Sequence, residues 1–368
     1  MLTTKSATAQ YSSRPADERF SSLEALHAAA YADAKTCRRA DVPLSNIEAI
    51  ANGSEVAIRG KHSGMTANLT HWSFSQLANL VHAPAGYLRT LPPDLAALNI
   101  NNGLQRASSD PAQLYLRQNG TLTLRAATTP TYARYHDASF VARLQQLRDV
   151  RPTLDLPPVW GKGGIGSDDG ERGGAYRGDR DAFVILTDGG SIVNDPTIGG
   201  FGGGNGQMYR GIIGRNSEVG GSKVELLTFM FRGICGNHCI WGVEQQTNLQ
   251  RRHVGDVAAA VEAMVRSAMK FFDTSAKDDE NRIRALNSIE LGSDKKSVVD
   301  AGRAYGLTED QAGDAYLSAE QFEQNPRSVW GYSNGITRIS QLATHQDERF
   351  QLDLVAAKLL RRKLAIAA

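Results

Sequence analysis

The chain has 368 residues, 41 of them Lys or Arg against 39 Asp or Glu, a formal net charge of +2, with 41% hydrophobic and 22% charged residues. This balance excludes a disordered polyelectrolyte, a coiled coil and a disulfide-stapled miniprotein, and the length suffices to bury a large core. The near-neutral total calls for no anionic partner, although a groove depends on how charge is distributed rather than on its sum.

Residues 1–20 are polar and Ser-rich and read as a flexible lead. A helical region is expected over 21–110. Leu23, Leu26, Ala30, Ala34 and Cys37 recur at helical spacing. Residues 55–60, EVAIRG, read as a short strand. Ser73 or Ser75 caps a helix carrying Phe74, Leu77, Leu80 and Val81, which Pro84 ends. A short helix follows over 85–91, and Asp94 caps another with Leu95, Leu98 and Leu104.

Residues 111–255 read as a sheet-containing core. Two alternating runs, 112–118 and 121–127, flank Asn119-Gly120, a strong hairpin signal. Asp137 caps a helix to Leu147. Between Gly161 and Gly221 lie 20 of the 36 glycines, concentrated in loops at 161–180 and 199–207. Strands are expected at 181–189, 208–217 and 223–235, the last two joined by a turn at 217–222. From 256 the chain reads as helical: Val257, Val261, Met264, Val265, Ala268, Phe271 and Phe272 form one apolar stripe. Two more helices start near Asp278 and Ser297, and a long one covers 344–367. The fold class is α+β: a central, largely antiparallel sheet with flanking helices and Gly-rich inter-strand loops.

Three cysteines, Cys37, Cys235 and Cys239, cannot all pair within one chain, which points to a reducing compartment. The N-terminus holds no apolar run of the secretory kind, and the patch Val224–Phe231 is too short to span a bilayer. A cytoplasmic protein with no membrane partner is expected.

Cys235, His238 and Cys239 attract a metal reading, yet a structural zinc site takes four ligands and only His253 offers a fourth. The alternative is a tight turn with thiols packed as small hydrophobes. The glycine runs fit neither the Walker nor the dinucleotide pattern, so no cofactor is expected. Asp181, Asp188 and Asp195 flank one strand and supply the carboxylates a metal-dependent nuclease would use, although their context reads as turns and caps.

Arginines beside aromatics form three groups: Arg125, Tyr132, Arg134, Tyr135 and His136; Tyr209, Arg210, Arg215, Asn216 and Lys223; Arg232, Trp241, Arg251, Arg252 and His253. Single-strand binders join a cationic groove to aromatic faces. On that reading Arg134, Arg210, Arg215, Arg251 and Arg252 contact phosphates, and Tyr135 and Tyr209 stack on bases. The rival reading makes the arginines solubilising groups and the aromatics core.

Residues 214–242 resemble a phage- and plasmid-associated family of uncharacterised proteins, domain of unknown function 932. Its Asn-Ser-Glu-x-Gly phrase is matched by Asn216, Ser217, Glu218 and Gly220; its Arg-x-x-Cys-x-Asn-Gly phrase is matched by Arg232, Cys235 and Asn237, with His238 in place of Gly. Further matches lie at 71–92, 132–144 and 329–341, the last including Trp330, Asn334 and Thr337. The resemblance implies mobile-element biology and raises DNA handling, by single-strand binding or annealing in recombination; separately, the exposed Gly-rich loops are expected to meet in a homo-oligomer and line a groove. It transfers no catalytic residue. A structural or host-protein interaction role is the alternative, and the nuclease a second.

Overall fold

The computed structural model describes residues 14–107, 111–157, 172–197, 207–232, 240–241 and 248–342, with a few helical positions between 352 and 360. The expected Gly-rich loops, except their flanks, lie outside these residues, as do Cys235, Asn237, His238, Cys239 and most of the final helix.

The architecture is α+β, with strands in two largely antiparallel sheets. The first half builds the smaller one. After β1 (Arg19–Phe20), helix α1 (Leu23–Thr36) starts at Ser22, whose hydroxyl accepts the Ala25 N–H. There follow β2 (Cys37–Pro43), β3 (Ile47–Asn52), β4 (Glu55–Gly60), β5 (Thr66–Leu69), helices α2 (His71–Leu80), α3 (Ala85–Leu88) and α4 (Pro93–Arg106), and the hairpin β6 (Pro111–Asn119) and β7 (Thr121–Thr128). These six strands, β2 to β7, run in the order β2-β6-β7-β5-β4-β3, and only β5 and β7 are parallel.

The 21–110 segment is therefore not a helical region. Its strands are short, half-buried and interrupted by turns, so their alternation is weak in sequence; the hairpin beside them supplies the pairing partners. The Asn119-Gly120 turn forms as expected, with Gly120 at φ 69° in the left-handed region. Helix α2 is capped three residues before Ser73 and five before Ser75, the two expected caps. Thr70 is the N-cap, and Ser73 completes a reciprocal capping box. Leu77, Ile100 and Leu104 press α2 and α4 onto Ile47, Ile58, Leu114 and Leu124.

The larger sheet takes its strands from later in the chain: β8 (Leu154–Asp155), β9 (Ala175–Arg177), β10 (Ala182–Asn194), β11 (Gln207–Asn216), β12 (Val224–Arg232), β13 (Ile240–Trp241) and β14 (Asn248–Arg251). Its order is β1-β9-β10-β11-β12-β13, with β14 also on β12 and β8 on β10. The 112–127 hairpin thus belongs to the other sheet, a correction to the single sheet expected from sequence. β10 is apolar at consecutive positions because both its faces are covered. Val184 and Leu186 join the helical side, while Phe183 and Ile185 join a second cluster with Ile213 and Phe229. Between Asp188 and Ile192 a bulge shifts the register with β11.

Helices α5 (Asp137–Val150), α6 (Val257–Phe272), α7 (Ala276–Ser288), α8 (Lys295–Ala304), α9 (Glu309–Phe322) and α10 (Val329–Leu342) supply the helical side. The α6 stripe is buried at all seven expected positions. The stretch after it holds three helices up to residue 325, not two, capped by Ser275, Asp294 and Thr308. No helix among the described residues is long and apolar enough to cross a membrane.

Candidate nucleic-acid interface

The segment leaving β11 organises everything around it. Asn216 is fully buried and donates to the Tyr135 carbonyl at 2.9 Å and to Asp137 Oδ1 at 2.7 Å. Ser217 Oγ bonds the Arg180 carbonyl and accepts the Gly221 N–H. The Val219 carbonyl accepts Trp72 Nε1 at 3.0 Å and Gln76 Nε2 at 2.7 Å. Gly220 sits at φ 82°, closing a turn that a β-carbon would strain.

Glu218 is the hub. Its carboxylate pairs with Arg125 of β7 and lies 3.1 Å from Arg177 Nη2 of β9. Asp33 of α1 meets both guanidiniums, at 3.0 Å from Arg125 and 2.6 Å from Arg177. Burial opposes ionisation of Glu218, but His136, Arg125 and Arg177 outweigh it and hold its carboxyl well below the usual range. Nearby Asp137 goes the other way: burial and the Glu218 charge push it up to about 7, against Arg177 and Asn216, which both donate to it. The cluster locks the two sheets and two helices together, and its charges are internally satisfied.

The remaining phrase residues are also packing elements. Trp330 donates to Asp195 at 3.0 Å, Asn334 to Glu323 at 3.0 Å, and the Thr337 hydroxyl to the Asn334 carbonyl. Of Arg232 only the backbone, at the end of β12, is described.

Most residues expected to bind DNA do not share an accessible face. Arg210 is 2% exposed, faces the helical side, and is bound to Asp279 and to the carbonyls of Phe272, Thr274 and Ser275. Arg215, five residues on, points to the opposite face, because strand side chains alternate. It pairs with Asp181 at 2.7 Å. Arg134 is held between the Tyr115 and Tyr132 rings and donates to the Glu218 carbonyl and to Gln113. Tyr135 packs on the helical core, and Tyr209 on the apolar cluster of the other face. Burial beside carboxylates and carbonyls removes Arg134 and Arg210 from phosphate contact, packing on the two apolar clusters occupies Tyr135 and Tyr209, and of this set Arg215 alone reaches the rim of a cleft, which corrects the expectation of convergence. Arg251 and Arg252 are exposed, and among the described residues Arg251 donates only to the Val254 carbonyl.

The carboxylate trio does not converge either. Asp181, Asp188 and Asp195 are seven residues apart along β10 and its flanks; the first step spans roughly 23 Å of extended chain, and the bulge, across which Asp188 and Ile192 pair with the adjacent residues Arg210 and Tyr209, shortens the second. Asp188 accepts from Arg151, Thr153, Ser191 and the Gly190 N–H, and Asp195 accepts from Thr197 and Trp330. Donors occupy the oxygens a cation would need.

A different set of cations is accessible. A polar cleft of ≈ 480 Å³ is bordered by Arg14, His71, Trp72, Arg180 and Arg215, with Glu18, Asp179 and Asp181 also on its wall and Glu18 paired with Arg14 at 2.6 Å. Asp181 is engaged by Arg14 and Arg215. The exposed Arg180 lies 5.2 Å over the Trp72 ring and 3.2 Å from His71 Nδ1, with no carboxylate partner among the described residues. Arg89 is likewise exposed. It donates to the His71 carbonyl and Ser75 Oγ and stands 5.0 Å over Phe74. Arg89 first, then burial and Arg180, lower the His71 pKa.

Strand pairing extends this cationic edge. Ala182 pairs with Asn216, Arg215 with Glu225, and Val224 with Arg251. Arg180, Arg215, Lys223 and Arg251-Arg252 therefore lie in sequence along one end of four neighbouring strands, about 14 Å across at the usual strand spacing. Sequence reasoning named Arg215, Lys223, Arg251 and Arg252 but missed Arg180, Arg89 and Trp72; a Trp seventeen residues before the next charged residue, Arg89, gives no sign of the loop that folds onto it. No family model, curated protein or solved structure matches the chain.

Proposed function

We propose that the protein binds single-stranded DNA along the strand ends that carry Arg180, Arg215, Lys223, Arg251 and Arg252, with Trp72 and Arg89 at one extremity. The proposal places the chain in the phage- and plasmid-associated family it resembles, acting in the cytoplasm as a homo-oligomer in annealing or recombination. One observation carries it: Arg180, Arg89 and Arg252 are exposed and have no carboxylate partner among the described residues, whereas Arg125, Arg177 and Arg210 are neutralised in the interior. Phosphates supply the missing counter-charge, and an Arg stacked on Trp offers a base a planar surface.

Titration of a labelled oligothymidylate by fluorescence anisotropy at two salt concentrations tests the reading. Four phosphate contacts on a single strand give a log–log salt slope of about −3. Absence of binding at low salt overturns it. Sizing the assembly with and without the oligonucleotide tests the oligomer.

A protein-interaction role is favoured by one separate feature. Leu95 and Leu98, one turn apart on α4, are 45% and 64% exposed. Recovery of a stoichiometric protein partner after nuclease treatment, lost on Leu98→Glu, supports that role.

A further inference from the structure

The smaller sheet holds a second cavity, unrelated to the cationic strand ends. Arg38, Ala40 and Val42 of edge strand β2 lie opposite Leu116, Leu114 and Ala112 of β6, so their side chains share one face. Ile47 from the other edge strand, β3, and Ile58 from β4 border the same pocket. Both edges of a six-stranded sheet thus line one space, which means the sheet is curled around it. Helices α2 and α4 cover only part of that concave face. What remains is a pocket of ≈ 490 Å³, within the range of small-molecule sites.

Its floor is hydrocarbon: Leu114, Leu116 and Leu122 with Ile47 and Ile58. Its mouth is cationic. Arg38 is exposed, and its Nη2 sits 3.6 Å from Met65 Sδ on the β4–β5 turn, its one partner among the described residues. Arg39 spends its charge on Asp41, and His62 lies 3.3 Å from Asn46 Oδ1. No carboxylate among the described residues borders the pocket. Met65, 44% exposed, has the unbranched, adaptable side chain of a ligand-covering residue.

From this we infer that the curled sheet is a binding site for an amphipathic monoanion, an alkyl chain of moderate length seated on Leu114, Leu116 and Leu122 with its carboxylate at Arg38. The alkyl part gains from leaving water, and the unpaired guanidinium supplies the head-group preference.

Isothermal titration of the full chain with decanoate below its micelle concentration, with decanol and decyltrimethylammonium as head-group controls, is the test. Saturable 1:1 binding of decanoate is expected, at least tenfold tighter than the trimethylammonium compound. Arg38→Ala should weaken decanoate about tenfold and leave decanol unchanged; Leu122→Trp, which fills the floor, should remove both. Circular dichroism reports whether Leu122→Trp folds, and Arg38→Ala, at the exposed mouth, decides the matter if it does not. No saturable decanoate binding, equal affinity for the cationic control, or indifference of decanoate to Arg38→Ala overturns the assignment.

Discussion

Arg125 of β7 and Glu218, two residues beyond β11, form an ion pair between the two sheets, and each side chain is 2% exposed. The pair sits inside a set of five charged groups in which Asp33, Asp137 and Arg177 complete the neutralisation. Burying charge is costly, and the cost is met here because Arg125 reaches two carboxylates and Arg177 three.

Removing the hub carboxylate should therefore be severe. Glu218→Ala leaves Arg125 and Arg177 buried with only Asp33 and Asp137, and a loss of about 3–5 kcal/mol is expected. Urea unfolding followed by tryptophan fluorescence measures it; a loss within the ~0.5 kcal/mol typical of surface substitutions would contradict the hub role.

His253 sets an acid limit on stability. It is 4% exposed, stacks 4.9 Å from the Tyr132 ring, and its Nε2 has no hydrogen-bond partner among the described residues. Burial pushes its pKa down to about 4 from the ordinary 6.5, with Arg134 adding to the shift and the Ala133 carbonyl opposing it. The folded chain then binds fewer protons than the unfolded chain between these values. Stability is intact above pH 6.5 and falls as pH drops toward 4, by up to about 3 kcal/mol from this group. His253→Phe should flatten that limb in thermal melts at pH 4–7, and an unchanged pH profile would refute the assignment.

The two kinds of arginine should separate cleanly. Arg180→Ala and Arg252→Ala are expected to weaken oligothymidylate binding and to reduce the salt slope by about 0.7 each, with no change in melting temperature. Arg210→Ala should instead destabilise the fold by about 3–5 kcal/mol, because Asp279 is left buried and unpaired. Paired anisotropy and melting curves distinguish the cases; a binding loss for Arg210→Ala without loss of stability would reverse the assignment of roles.

Gly211 occupies the middle of β11, where a β-carbon would come within 2.5 Å of both the Leu186 carbonyl oxygen and the Phe229 ring. The carbonyl belongs to the ladder and cannot retreat. Gly211→Ala should cost about 1–3 kcal/mol in urea unfolding, and a neutral result would show that the strand can shift.

Local chemistry was legible in the sequence. The Asn119-Gly120 hairpin, the α6 stripe from Val257 to Phe272 and the breaks at Pro84 and Pro92 depend on residues close together in the chain, so spacing alone specifies them. The strand pair β11–β12 was equally readable, because its turn carries its own glycines. Which sheet the hairpin joins was not readable, since β2 and β6 pair across some seventy residues and their alternation is interrupted by turns. Nor was the fate of each arginine: Arg210 and Arg215 look alike in sequence, and the alternation of side chains about β11 sends one to Asp279 in the interior and the other to the rim of a cleft. Charge can be counted along a chain, but its partners are fixed by long-range packing, and that packing determines which cations remain for a ligand.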